Sequence, residues 1–270
     1  MTAADARYLA FLRRRDGEAS LARRRLAARE AFFDRLAREP VRSACAIDAA
    51  TFRRNLVRRR PEAGLDRRTL WLLATAKTNQ AERFAVGVAE LYGKVNADDE
   101  IVIRVSLQEH YHTRILADVV ALFGLDVVPT PPARLVRVFV RLLLALPERW
   151  RLPIAGASEM VGCILFRALR DEGTVLFADE PPVAARIQLL YDEILADELG
   201  HVGHIASRLG RRGRAVTRAF YHVLGPYFAR SMPELERLFG PEIRPRLAAP
   251  FPLDAMAREL PDRALVVAAM

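Results

Sequence analysis

Glu109-His110-Tyr111-His112 and Glu198-Leu199-Gly200-His201 decide how this chain is read. Each string places a carboxylate three residues before an imidazole, and residues at i and i+3 share one face of an α-helix. Two such helices facing each other bring two carboxylates and two imidazoles to one centre. If two further helices each add one Glu, the bundle can hold a pair of metal ions. Glu82 and Glu159 are the candidates for the added carboxylates.

Outward from these strings the pattern is helical almost throughout, with no alternating strand pattern bounded by turn residues. Asp66 is placed to cap a long helix reaching about Tyr92, and Gly93-Lys94-Val95-Asn96 reads as the turn after it. A second helix runs from about Ala97 to Phe123 and stops at Gly124. A third covers about 152–171 with a stop at Gly173, and Pro181-Pro182 open a fourth over 182–209, ended by Gly210. Residues 4–38 read as one Ala/Leu/Arg-rich helical stretch, 41–65 as less regular, 133–146 and 212–239 as helices, and the part after Pro241 as a proline-broken tail. The expectation is a single all-α domain over 1–270. Its metal-binding four-helix core spans 66–210, and 1–65 and 211–270 supply flanking helices and tail.

Level matching selects the carboxylates. Helices joined by a short turn run antiparallel, so residues equidistant from the turn sit at one height. The midpoint of 82 and 109 falls inside Gly93–Asn96, and that of 159 and 198 falls beside Asp179-Glu180-Pro181. Glu90 fails the test, because its midpoint with Glu109 lies within the second helix; it reads as a surface residue. Val102, Val105, Glu109, His112 and Leu116 form one stripe, and Tyr191, Ile194, Glu198, His201 and Ile205 form another. Glu159 is flanked by Ala155, Gly156, Gly162 and Cys163, and Glu82 by Thr75, Thr78, Ala85 and Val86. The small residues near Glu159 either leave room for a substrate or permit close helix packing. Four inward carboxylates at one level repel one another, and divalent cations relieve that cost. Oxygen and imidazole donors suit Fe or Mn better than structural Zn.

Around this set, Asp197 is positioned either to accept a hydrogen bond from the far nitrogen of His112, as expected beside a metal ligand, or to be a solvated acid. His204, one turn beyond His201, is a further ligand or a polar contact. His110 and His222 read as structural or exposed, and Tyr111 and Tyr191 as packing aromatics. Arg134, Arg137 and Arg141 are spaced along one helix. They read as a solvated face or as a dock for an acidic carrier protein, a phosphate-bearing substrate or a membrane surface.

Composition narrows the field. Hydrophobic residues make up 51% of the 270, enough for a sizeable core. The net charge of +9 comes from arginines interleaved with acids, as in Arg13-Arg14-Arg15-Asp16, a pattern of solvated helix faces rather than a nucleic-acid stripe. Cys45 and Cys163 have neither metal nor disulfide spacing, and a reducing cytoplasmic setting is expected. The N-terminus does not read as a signal peptide. The longest apolar run, Val138 to Leu146, is too short to span a bilayer, so no transmembrane segment is expected.

Glu82, Glu109 with His112, Glu159, and Glu198 with His201 resemble the ligand pattern of the ferritin-like di-iron carboxylate superfamily. Asp197-Glu198-Leu199-Gly200-His201 is similar to the Asp-Glu-x-x-His string on the last ligand helix of bacterial di-iron monooxygenases and ribonucleotide reductase small subunits. The likeness covers about 66–210 and lies in spacing and ligand type. Gly200 stands where those families often carry Arg. Ile194 stands where the aryl-amine N-oxygenase branch carries an added His, which makes N-oxygenation the less favoured outcome. The resemblance implies a ferritin-like four-helix bundle with additional flanking helices. It implies two Fe ions, or an Fe/Mn pair, bridged by Glu109 and Glu198, with Glu82 and Glu159 as terminal ligands and His112 and His201 as nitrogen ligands. It further implies that O2 and an external electron donor serve to oxidise a small-molecule or carrier-bound substrate, and it leaves room for a homodimer.

Overall fold

The computed structural model describes residues 2–20, 23–95, 98–127 and 134–261; the side chains of 84–85, 88–95, 134–137 and 139–140 lie outside that description. The fold is all-α apart from one short hairpin. Four long helices form its centre: α4 (Arg67–Val95), α5 (Glu100–Ala121), α7 (Glu148–Leu176) and α8 (Pro181–Arg208). In this helical bundle α4 packs on α5 and α7, while α8 packs on α7 and α5. Side-chain contacts set the directions. Asn79 meets Thr113 and Glu82 meets Glu109 between α4 and α5, whereas Gln108 meets His201 and His112 meets Asp197 between α5 and α8. In each pair one residue number rises as the other falls, so neighbours are antiparallel.

Local chemistry accounts for the helix ends. Asp66 accepts from the backbone N–H of Thr69 at 2.9 Å, and Asp99 caps α5 by accepting from Ile101 at the same distance. Pro181 and Pro182 occupy the first turn of α8, where their missing N–H groups are harmless. The turn after α4 comes later than Gly93–Asn96, since the helix continues through Val95; residues 96–97 lie outside the described set.

Several expected boundaries are corrected. Residues 4–38 are not one helix. α1 (Ala3–Asp16) stops at Gly17, a two-residue hairpin follows (β1, Ala19–Ser20, antiparallel to β2, Arg25–Leu26), and α2 (Ala27–Arg38) begins. Gly17 has φ of +67°, a conformation that costs an L-residue with a Cβ. Within 41–65 there is one helix, α3 (Ala49–Leu56), capped by Asp48. Gly173 does not end the third core helix. α7 passes through Pro153 and Gly173, and a Cβ at 173 would lie 2.5 Å from the Trp71 ring, so glycine serves helix–helix approach there. The 212–239 stretch divides at Met232 into α9 (Arg211–Ser231) and α10 (Pro233–Phe239). Among its described residues, the tail holds two short helices, α11 (Ile243–Ala248) and α12 (Leu253–Glu259).

α7 is long and apolar enough to cross a membrane by length and composition, with mean hydropathy of 1.4 over 18 residues. In this fold it is a core helix packed against α4, α8 and α9. α6 (Arg134–Ala145) carries the arginine stripe. Arg141 is exposed, and the side chains of Arg134 and Arg137 lie outside the described residues, as does that of Glu90.

Candidate metal centre

The four core helices present one face each to a common level. α4 supplies Glu82, α5 supplies Glu109 and His112, α7 supplies Glu159, and α8 supplies Glu198 and His201. Their donor atoms fall into two groups, each with all atoms within 4.8 Å of one another: Glu82, Glu109, His112 and Glu198, and then Glu109, Glu159, Glu198 and His201. Glu109 and Glu198 belong to both. All six side chains nominated from the sequence are therefore brought together, and these groups can hold a metal ion.

The imidazoles face the carboxylates through the same atom. His112 Nδ1 lies 3.0 Å from Glu198 Oε1, 3.8 Å from Glu82 Oε2 and 3.9 Å from Glu109 Oε2. His201 Nδ1 lies 3.5 Å from Glu159 Oε2 and 3.7 Å from Glu109 Oε1. Both Nδ1 atoms are buried and neither has a hydrogen-bond partner. A buried polar atom without a partner is costly and rare. Here two such nitrogens, in rings 6.2 Å apart, point among carboxylate oxygens. That donor set fits divalent cations.

Charge repulsion is relieved by protons in the protein alone. Burial, reinforced by neighbouring carboxylates, pushes the Glu109 and Glu198 carboxyls well above the usual range. Burial pushes Glu159 in the same direction, but the neighbouring Glu198 carboxyl and His201 imidazole outweigh it and bring Glu159 down to about 2. The Glu109 and Glu198 shifts favour the protonated form at the two carboxyls common to both groups, where cations would compete with the proton. Burial also opposes a charge on His112. Its bond to Asp197 and the nearby Glu82 and Glu109 carboxyls overcome this and raise it to about 10.

Behind the ligands each ring is braced from the opposite helix. His112 Nε2 lies 3.1 Å from Asp197 Oδ2, and His201 Nε2 lies 2.9 Å from Gln108 Oε1. Asp197 directly precedes Glu198, and Gln108 directly precedes Glu109, so each Glu-x-x-His string carries the brace for the other string's histidine. Gln108 donates to Asp16 at 3.0 Å. Asp197 is fully buried and bonded by Arg15 and by both oxygens to Arg29, which hold it far below the usual carboxylate range against the opposing effect of burial. α1 and α2 exist in part to deliver these two arginines and Asp16.

Gln108, Arg15, Arg29 and Asp16 were not singled out from the sequence. Gln108 was within reach by the same adjacency that marked Asp197; the other three come from helices whose docking leaves no local signal. His204 belongs to neither ligand group. Its ring stacks on Tyr8 with centroids 4.2 Å apart, and its Nε2 is 3.8 Å from Asp5. Tyr111 donates to Glu30 and accepts from the backbone of Leu26, and Tyr191 bonds Thr75, so both tie helices together. Gly200 has a steric reason: a Cβ there would lie 2.7 Å from Phe11, so α1 can seat against α8 only over glycine.

Compared with family models, curated proteins and solved structures, the chain matches none.

Proposed function

We propose that this chain is a ferritin-like di-iron carboxylate protein that uses O2 to oxidise a small organic or carrier-bound substrate. The observation that carries the reading is the pair of ligand groups sharing Glu109 and Glu198, each closed by a buried imidazole nitrogen that has no other partner. Glu109 and Glu198, common to both groups, would hold both ions, Glu82 and Glu159 would each add a carboxylate to one of them, and His112 and His201 would be the nitrogen donors. Four carboxylates against two divalent cations balance in charge, and the hard oxygen set favours iron, with manganese as the related choice. Bound iron would supply the electron transfer to O2 that no side chain here can perform.

The chain's own residues perform the rest. Asp197 and Gln108 fix the ring orientations and keep both Nδ1 atoms directed at the carboxylates. Glu109 and Glu198, whose carboxyls favour the protonated form in the protein alone, would give up any proton to hold cations. Burial of Glu109, His112, Glu198 and His201 keeps bulk water from that part of the site, and the side chains of Glu82 and Glu159 retain 14% and 24% exposure, which makes them the accessible edge. An external donor must return the electrons.

The test is elemental and kinetic. Protein loaded anaerobically with Fe(II) is expected to hold about two ions per chain. Uptake of O2 should then depend on reductant and on an added substrate, and Glu159→Ala should abolish it. Mineral growth or peroxide breakdown without substrate oxidation would overturn the oxygenase assignment while leaving the metal site standing.

A further inference from the structure

Beside the ligand level, α7, α8 and α9 enclose a cleft of about 540 Å³ that none of the six ligands lines. It begins where they end. Gly156 and Met160 on α7 flank Glu159, and Val202 and Ile205 on α8 follow His201. The volume lies within the range of small-molecule sites. Gly156 sets the depth of the wall: a Cβ there would approach Ile205 to 3.0 Å and Thr217 to 3.5 Å. The tail closes the far side through Phe251, whose ring lies 6.3 Å from that of Tyr221.

One wall differs in chemistry. Arg214 and Arg218 line the cleft from α9 at i and i+4, with His222 one turn further on the same face. Both arginines are exposed, and neither makes an ion pair among the described residues. In a smaller cleft near Tyr111, by contrast, Arg114 has a carboxylate beside it, 3.5 Å away on Glu30. His222 Nδ1 donates to the carbonyl of Ala248 at 2.8 Å, which fixes the ring at the same edge. An apolar trough ending in two adjacent guanidinium groups without acidic partners is complementary to an amphiphile with one anionic head.

We propose that this cleft binds a molecule with an apolar body and a single anionic head, a carboxylate or a phosphate monoester, held by Arg214 and Arg218 with its apolar end directed along Met160 and Ile205 toward Glu159 and His201. The inference rests on the oxidase reading only in making this molecule the substrate; binding itself needs no metal.

The experiment uses the full-length chain, stripped of metal, with dodecanoate, dodecyl phosphate and dodecanol titrated below their micellar concentrations by calorimetry. One anionic amphiphile is expected to bind per chain, at least about tenfold more tightly than the alcohol, and the tighter of the two anions names the head. The double variant Arg214→Ala/Arg218→Ala, altered only at exposed positions, should bring the anion down to the affinity of the alcohol and leave the alcohol unchanged. Met160→Trp, which fills the trough, should weaken all three. Failure of both anions to bind, or binding that survives the arginine variant, overturns the proposal. Iron binding is measured separately after each stripped protein is reloaded with Fe(II), so failure of the amphiphile to bind in protein that still takes up two ions refutes this inference and not the metal centre.

Discussion

The two halves of the centre are near copies in ligand type and unlike in support. Each has a terminal Glu, a shared pair of carboxyls and one imidazole entering through Nδ1. His112, however, rests on Asp197, a buried carboxylate carried by Arg15 and Arg29. His201 rests on the amide of Gln108. A carboxylate behind an imidazole raises its basicity more than an amide does, and it locks the ring into a charged network. On the proposed reading the half built around His112 is expected to bind the more strongly, and the half around His201, nearer the cleft and with the more exposed outer Glu, to be the adaptable one. The residue before each shared Glu, Gln108 in one string and Asp197 in the other, makes the two ligand groups unequal.

The most severe perturbation removes what the halves share. Glu198→Ala is expected to lose both ions, whereas Glu82→Ala should lose only the ion on the His112 side; elemental analysis after desalting distinguishes them. Equal losses from the two variants would mean that the groups are not separate sites.

Next comes Asp197→Asn, which makes the two braces alike. It leaves Arg15 and Arg29 buried without their main anion, and removing one partner of a buried pair costs about 3–5 kcal/mol. Denaturant melts should show that loss. Iron affinity on the His112 side should fall by about 10–100-fold, the usual effect of losing a partner behind a ligand. Gln108→Ala should be milder. It removes a neutral acceptor from His201 and a donor from Asp16, with a cost of about 1–3 kcal/mol and weaker binding confined to the second ion. If Gln108→Ala proves the more damaging of the two, the ranking of the halves is reversed.

The gentlest probe is pH. In the metal-free protein Glu109, Glu198 and His112 all bind protons more tightly folded than unfolded. The folded state then holds the extra protons, so stability falls as pH rises. For His112 the contribution is complete below 6.5 and is lost through about 10. Each such group contributes a slope of at most about 1.4 kcal/mol per pH unit. Metal-free protein should therefore melt lower at pH 9 than at pH 7. Loaded protein, its protons already displaced, should show little of this dependence, and its iron affinity should rise with pH across the same interval. Parallel pH profiles with and without iron would contradict the displacement.

Much of this centre was legible because helical periodicity is local. Glu-x-x-His fixes a face, and the short connections before Glu100 and Pro181 convert residue number into height, which is how Glu82 is chosen over Glu90 and Glu159 is matched to Glu198. What was not legible depended on contacts distant in sequence. Nothing near Gly173 announces Trp71, and nothing near Gly200 announces Phe11, so one glycine read as a stop and the other as a departure from pattern. The break at Gly17 looked like continuous helix because the composition on either side is the same. The arginines that carry Asp197 looked like surface charge, since Arg15 and Arg29 differ from their exposed neighbours only by where α1 and α2 dock.

The most direct measurement is anomalous scattering at the iron edge from crystals of the iron-loaded protein. The expected result is two peaks per chain, one bounded by Glu82, Glu109, His112 and Glu198 and the other by Glu109, Glu159, Glu198 and His201. A single peak, peaks only at surface acids, or no iron among these six side chains would contradict the dinuclear centre and the oxidation chemistry built on it.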